Sequence, residues 1–114
     1  MFIAYTIVAI ILAVGLVGSA RAKLVHDAKV TKSLTGIGVP ESWFPFLSAC
    51  EIAGAVGLLA GIWLAPLGVA AAIGVILYFI GAVTAHLRVR DAGWPLPAAI
   101  GLLAVAALLL RLAA

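Results

Sequence analysis

Four apolar runs dominate the chain: Phe2–Ala20, Trp43–Leu64, Leu67–Ala85 and Leu96–Leu112. Each is close to the roughly 20 residues that cross a bilayer core as an α-helix. The pattern predicts an all-α fold, a transmembrane four-helix bundle forming a single domain over residues 1–114. Ala20-Arg21-Ala22 resembles a secretory cleavage site, but no Lys or Arg precedes the first run, so it reads as a retained helix.

The connections differ. Spans two and three are joined by an uncharged turn at Ala65-Pro66, and spans three and four by His86–Pro95. The first connection, Arg21–Ser42, is the longest. Within it Leu24, Val25, Ala28 and Leu34 fall near one helical face, and Lys23, His26, Asp27, Lys29 and Lys32 fall elsewhere. That spacing predicts a short interfacial helix between the first two spans, ended by Gly36. Gly36–Pro40 is then a turn back into the membrane, with Trp43, Phe44 and Trp94 as interfacial anchors and Trp63 at the opposite surface.

Composition fixes the solvent. The chain is 67% hydrophobic and 10% charged, with mean hydropathy +1.34, against about 45–50% apolar and about 25% charged in soluble domains. Lipid must cover most of the surface, and 114 residues leave no room for a separate soluble catalytic domain. Charge then supplies an orientation. Six of the seven basic residues lie in the first and third connections, and Arg111 is the exception. The positive-inside rule places those connections in the cytoplasm and both termini outside, in a bacterial cytoplasmic membrane. Arg21, Lys29, Lys32, Arg88 and Arg90 are expected to contact anionic lipid rather than nucleic acid.

Small residues recur at helical spacing: Gly15 and Ser19, then Gly54, Gly57 and Gly61, then Gly74, Gly81 and Ala85. These are the expected packing seams, because close backbone approach supplies the contact between helices in lipid. The last span, with only Gly101, should be the most lipid-facing.

Glu51 carries the functional argument. It lies ~12 Å along the helix from Trp43, where an acidic group costs on the order of 3 kcal/mol unless paired, protonated or hydrated. It shares a stripe with Gly54, Ala55 and Leu58, so it faces a neighbouring helix. Either it forms a ligand or proton site, or it makes an ion pair that locks helix register. Lys23, on the Gly15–Ser19 face, is the expected partner; His86 is next, with Tyr78 and Thr84 deeper along the third span. Cys50, the sole cysteine, forms no internal disulfide and reads as a small buried core residue. His26 and His86 are the wrong pair for haem, since His26 lies in a loop. No metal cluster, nucleotide loop or nucleophile triad is present.

Several segments together resemble the DoxX-like family of small four-span membrane proteins. They are Gly18-Ser19-Ala20-Arg21-Ala22-Lys23-Leu24, Gly38-Val39-Pro40, Glu51–Leu58 and Tyr78–Arg88, in order over nearly the whole chain. The resemblance implies a compact four-helix bundle. The family's founding name comes from a small subunit of an archaeal thiosulfate:quinone oxidoreductase, so it also implies proximity to membrane redox complexes, with quinone as the possible cofactor. Motif positions map to Lys23, Glu51, His86 and Arg88, without a catalytic role. The expectation is an accessory subunit, not catalytic alone, associated with a quinone-linked complex, with a polar site at Glu51, Lys23, His86 and Tyr78. Its partners would be membrane lipids and other membrane or redox subunits, in a homo-oligomer or hetero-complex. The alternative is a structural or assembly factor that binds partner proteins without ligand chemistry. A transporter ranks third, because four short spans leave little room for a gated path.

Overall fold

The four apolar runs fold into four long helices in a computed structural model that describes residues 1–114. Helix α1 spans Phe2–Leu24, α2 Ala28–Gly36, α3 Phe44–Ala60, α4 Ala65–Arg88 and α5 Pro95–Ala113, with a 3₁₀ turn at Glu41–Trp43 before α3. The helices α1, α4 and α5, and α3 together with its preceding turn, are each long and apolar enough to cross a membrane. Proline near the start of α3, α4 and α5 supplies the fixed φ that opens a helix where no backbone N–H is needed.

The spans form a closed square. α1 packs on α3, α3 on α4, α4 on α5, and α5 returns to α1 through the thinnest seam. No close backbone approach crosses either diagonal. The molecule measures 40 × 26 × 18 Å, and its long axis matches the roughly 40–45 Å of a bilayer with its head groups. A continuous core runs through the square, with Tyr5, Ala9, Leu12 and Leu16 of α1 against Leu58, Ala72, Phe79 and Ala104. The α5 span has the smallest buried share, as its composition predicts.

Only part of the small-residue pattern packs within the chain. A Cβ on Gly54 would meet Val75 at 2.8 Å, and one on Gly57 would meet Ala71 at 2.6 Å. At Gly61 it would strike the Gly68 backbone and the Tyr5 hydroxyl. The α3–α4 crossing therefore requires these glycines. The seams expected at Gly15, Gly74 and Gly81 are not closed within the chain: a Cβ there meets nothing within 4 Å, because Gly15 and Gly74 border gaps between helices and Gly81 is exposed.

The first connection holds the predicted short helix, displaced along the chain. α1 continues to Leu24 and is capped by Val25, so neither residue lies on α2. The Asp27 side chain accepts a hydrogen bond from the Val30 N–H and caps α2, which buries no residue. α2 ends at Gly36, yet the left-handed turn residue is Gly38, with φ +89°. Phe44 is not an interfacial anchor: it is fully buried and stacks on the His26 ring at 5.5 Å. Trp43, Trp63 and Trp94 remain exposed.

Candidate functional site

Two buried stripes bring the central pair together. On α1 the buried positions are Tyr5, Ala9, Leu12, Ala13, Leu16, Ala20 and Lys23; on α3 they are Phe44, Ser48, Glu51, Gly54, Ala55 and Leu58. Lys23 and Glu51 thus continue apolar seams of helical period. Helical side chains lean toward the N-terminus of their own helix. α1 and α3 run antiparallel, so Lys23 reaches back along α1 while Glu51 leans the opposite way, and the two meet.

Lys23 Nζ lies 2.5 Å from Glu51 Oε1 and donates a second bond to Ser19 Oγ at 2.7 Å. Both charged residues are withdrawn from the surface, at 5% and 2% exposure. The Tyr78 hydroxyl donates to the same Oε1 at 3.2 Å, tying α4 into the site. Three helices therefore converge on one carboxylate oxygen. Ser48, one turn from Glu51, donates from its hydroxyl to the Ala20 carbonyl at 3.1 Å and fixes the α1–α3 register beside the pair.

The other carboxylate oxygen is different. Glu51 Oε2 is buried and has no hydrogen-bond partner. An unsatisfied buried acceptor costs about 1–3 kcal/mol, more when it is charged. Glu51 also lines a groove of about 670 Å³ along α3 and α4, with Cys50, Gly54, Gly57, Ala71, Gly74 and Tyr78 among its walls. That volume is within the ~300–1,000 Å³ typical of small-molecule sites. A smaller cavity of about 180 Å³ between α1 and α5 also reaches Glu51, past Ser19 and Gly15. Leu16, Glu51 and Phe79 line both spaces.

The remaining sequence candidates separate from this centre. His86 is buried at the end of α4, but its Nδ1 bonds Asp91 Oδ2 at 2.6 Å rather than Glu51. The Gly93 N–H donates to the same Asp91 oxygen at 2.8 Å. The chain turns back after α4 through Arg90, at φ +55°, and delivers Asp91 to His86. The His86 hydrogen bond, followed by the Gly93 N–H, holds the Asp91 carboxyl below the usual carboxylate range. Thr84 bonds the Ile80 carbonyl of its own helix. Cys50 is exposed on the groove wall, not buried in the core, because one residue from Glu51 is about 100° around the helix. His26 pairs with Glu41 at 3.7 Å, and no group of three or more His, Cys, Asp or Glu is placed to hold a metal. Arg21, Lys29, Lys32, Arg88 and Arg90 are all exposed.

A second polar cluster at the far end escaped the sequence reading. Arg111 Nε donates to the Gly61 carbonyl at 2.7 Å, and its guanidinium lies 5.7 Å from the Tyr5 ring centroid. The Tyr5 hydroxyl donates to the Leu58 carbonyl at 2.7 Å. These bonds satisfy carbonyls in the last turn of α3 and at its C-cap, left free by the helix end. The available signal was the lone basic residue of the last span.

Among known proteins, no curated sequence and no solved structure matches the chain. The sequence profile described as the DoxX-like family matches residues 7–108, which takes in Lys23, Ser48, Glu51, Tyr78 and His86. With four apolar helices in a closed bundle and nearly every residue inside that match, this integral membrane protein belongs to the DoxX-like family.

Proposed function

We propose that the protein is an accessory membrane subunit that holds the head group of a quinone-type molecule or lipid at Glu51, beside a quinone-linked redox complex. The observation carrying this reading is the unpartnered Oε2 of Glu51, buried in a residue that lines a 670 Å³ apolar groove. Lys23 offsets the carboxylate charge, and Tyr78 and Ser19 complete a small polar centre in an otherwise apolar site. The groove suits the tail of such a molecule, and the polar centre suits its head. Electron transfer itself belongs to the partner subunits in this reading.

The orientation is part of the proposal. Arg21, Lys29, Lys32, Arg88 and Arg90 are exposed in the connections at one end, and Arg111 bonds Gly61 at the other. Basic connections facing the cytoplasm of a bacterial inner membrane would put their charges against anionic lipid. Gly15, Gly18 and Gly81, with nothing of this chain against them, offer close approach to helices of a partner or a second copy.

A competing reading rests on a specific contact. The Lys23–Glu51 pair joins α1 to α3 across the largest helix interface, which is also what an assembly factor with no ligand would need. Glu51→Gln separates the two. In the ligand reading the variant folds and expresses but loses the co-purifying molecule or the redox coupling of its complex. If it only lowers stability, with bound molecule and coupling unchanged, the assembly reading replaces it.

A further inference from the structure

The two oxygens of Glu51 are used unequally, and that asymmetry defines the chemistry of an occupant. Oε1 accepts from both Lys23 and Tyr78, whereas Oε2 accepts from nothing. A carboxylate oxygen only accepts hydrogen bonds, so the missing partner must be a donor. The donor must also be neutral. A second cation beside the buried Lys23 ammonium would add like-charge repulsion at membrane depth, where charge is already expensive.

The groove sets the remainder of the molecule. Its lining runs along α4 from Leu67 to Tyr78 and Phe79, a length of ~18 Å at 1.5 Å per residue. Apart from Glu51 and Tyr78 the walls are apolar or glycine, with Cys50 on one side. It lies on an outer face of the bundle, since Ala53, Ala70, Gly74 and Leu77 are all exposed, and so opens sideways into lipid. An occupant would enter from the membrane with an extended apolar tail along α4.

We infer that the α3–α4 groove binds a neutral single-chain amphiphile whose head-group hydroxyl donates to Glu51 Oε2. This rests on the head-group reading above and deepens it by giving the polarity of the hydrogen bond. The site distinguishes a hydroxyl from the same group masked as an ether, and bulk acyl chains filling the groove would make no such distinction.

The native Cys50 provides the measurement, because it lines the groove and is the only thiol. The protein is placed in phosphatidylcholine nanodiscs, and alkylation of Cys50 by N-ethylmaleimide is timed against increasing para-dodecylphenol or its methyl ether, para-dodecylanisole. Gly74→Leu fills the groove where a Cβ meets nothing and leaves Lys23, Glu51 and Tyr78 untouched. The expected result is saturable protection by the phenol, with the ether about tenfold weaker, the factor one hydrogen bond to a charged group carries. Gly74→Leu should remove protection while retaining its helical circular dichroism and melting temperature. Equal protection by phenol and ether, abolished by Gly74→Leu, would overturn the donor assignment while leaving the groove as a binding site. No protection by either compound would overturn both the inference and the head-group reading.

Discussion

A lysine and a glutamate within a bundle of this size are costly singly and tolerable together. Removing one partner leaves an uncompensated buried charge, which costs about 3–5 kcal/mol. Lys23→Ala is therefore expected to destabilise the protein by about that amount in detergent unfolding, and Lys23→Met with Glu51→Leu should recover most of the loss. The double variant would keep the fold and lose the acceptor. At the other polar contact, Asp91 has its carboxyl held below its ordinary range by His86 and Gly93. Its contribution to the turn is present above the ordinary carboxylate range, near pH 4, and is lost as pH falls below it. The protection factor of the Gly93 amide, taken against the exchange rate of an unstructured peptide at the same pH, should fall as pH drops below about 4, and that fall should be absent from Asp91→Asn. The Lys23–Glu51 pair was legible because both residues continue the period of their buried stripes. His86 bonds Asp91 rather than Glu51, a partner delivered by a left-handed turn at Arg90 that periodicity does not encode.

Among the helices, α3 is the most constrained. Gly57 and Gly61 bring it against Ala71 and Gly68 of α4, while Gly15 on α1 meets nothing within 4 Å. Forcing a larger side chain into a packed contact costs about 1–3 kcal/mol, occasionally more. Gly61→Val should lower the unfolding free energy by at least that amount, and Gly15→Val should leave the isolated protein within about 0.5 kcal/mol of wild type. Sequence spacing identified both glycines as small residues on a seam. It did not distinguish a seam filled by this chain from one left open, since that depends on which helix lies opposite. The four spans were readable from their hydropathy alone. α2 was readable from its amphipathic spacing, but its start was not, because α1 runs one turn beyond its apolar stretch to deliver Lys23.

For the whole molecule, the proposed orientation and occupancy both rest on how few charges it carries. With Cys50→Ala as background, Ser33→Cys in α2 should resist a membrane-impermeant maleimide in intact cells, and Leu64→Cys in the α3–α4 turn should label. The reverse pattern would invert the proposed topology. The central claim is that Glu51 and its groove hold a small amphiphile rather than merely pinning two helices. Native mass spectrometry of the gently solubilised protein tests it most directly, comparing wild type with Gly74→Leu. One amphiphile per chain on wild type, missing from a folded Gly74→Leu variant, is the predicted result. Identical spectra for the two proteins would contradict it.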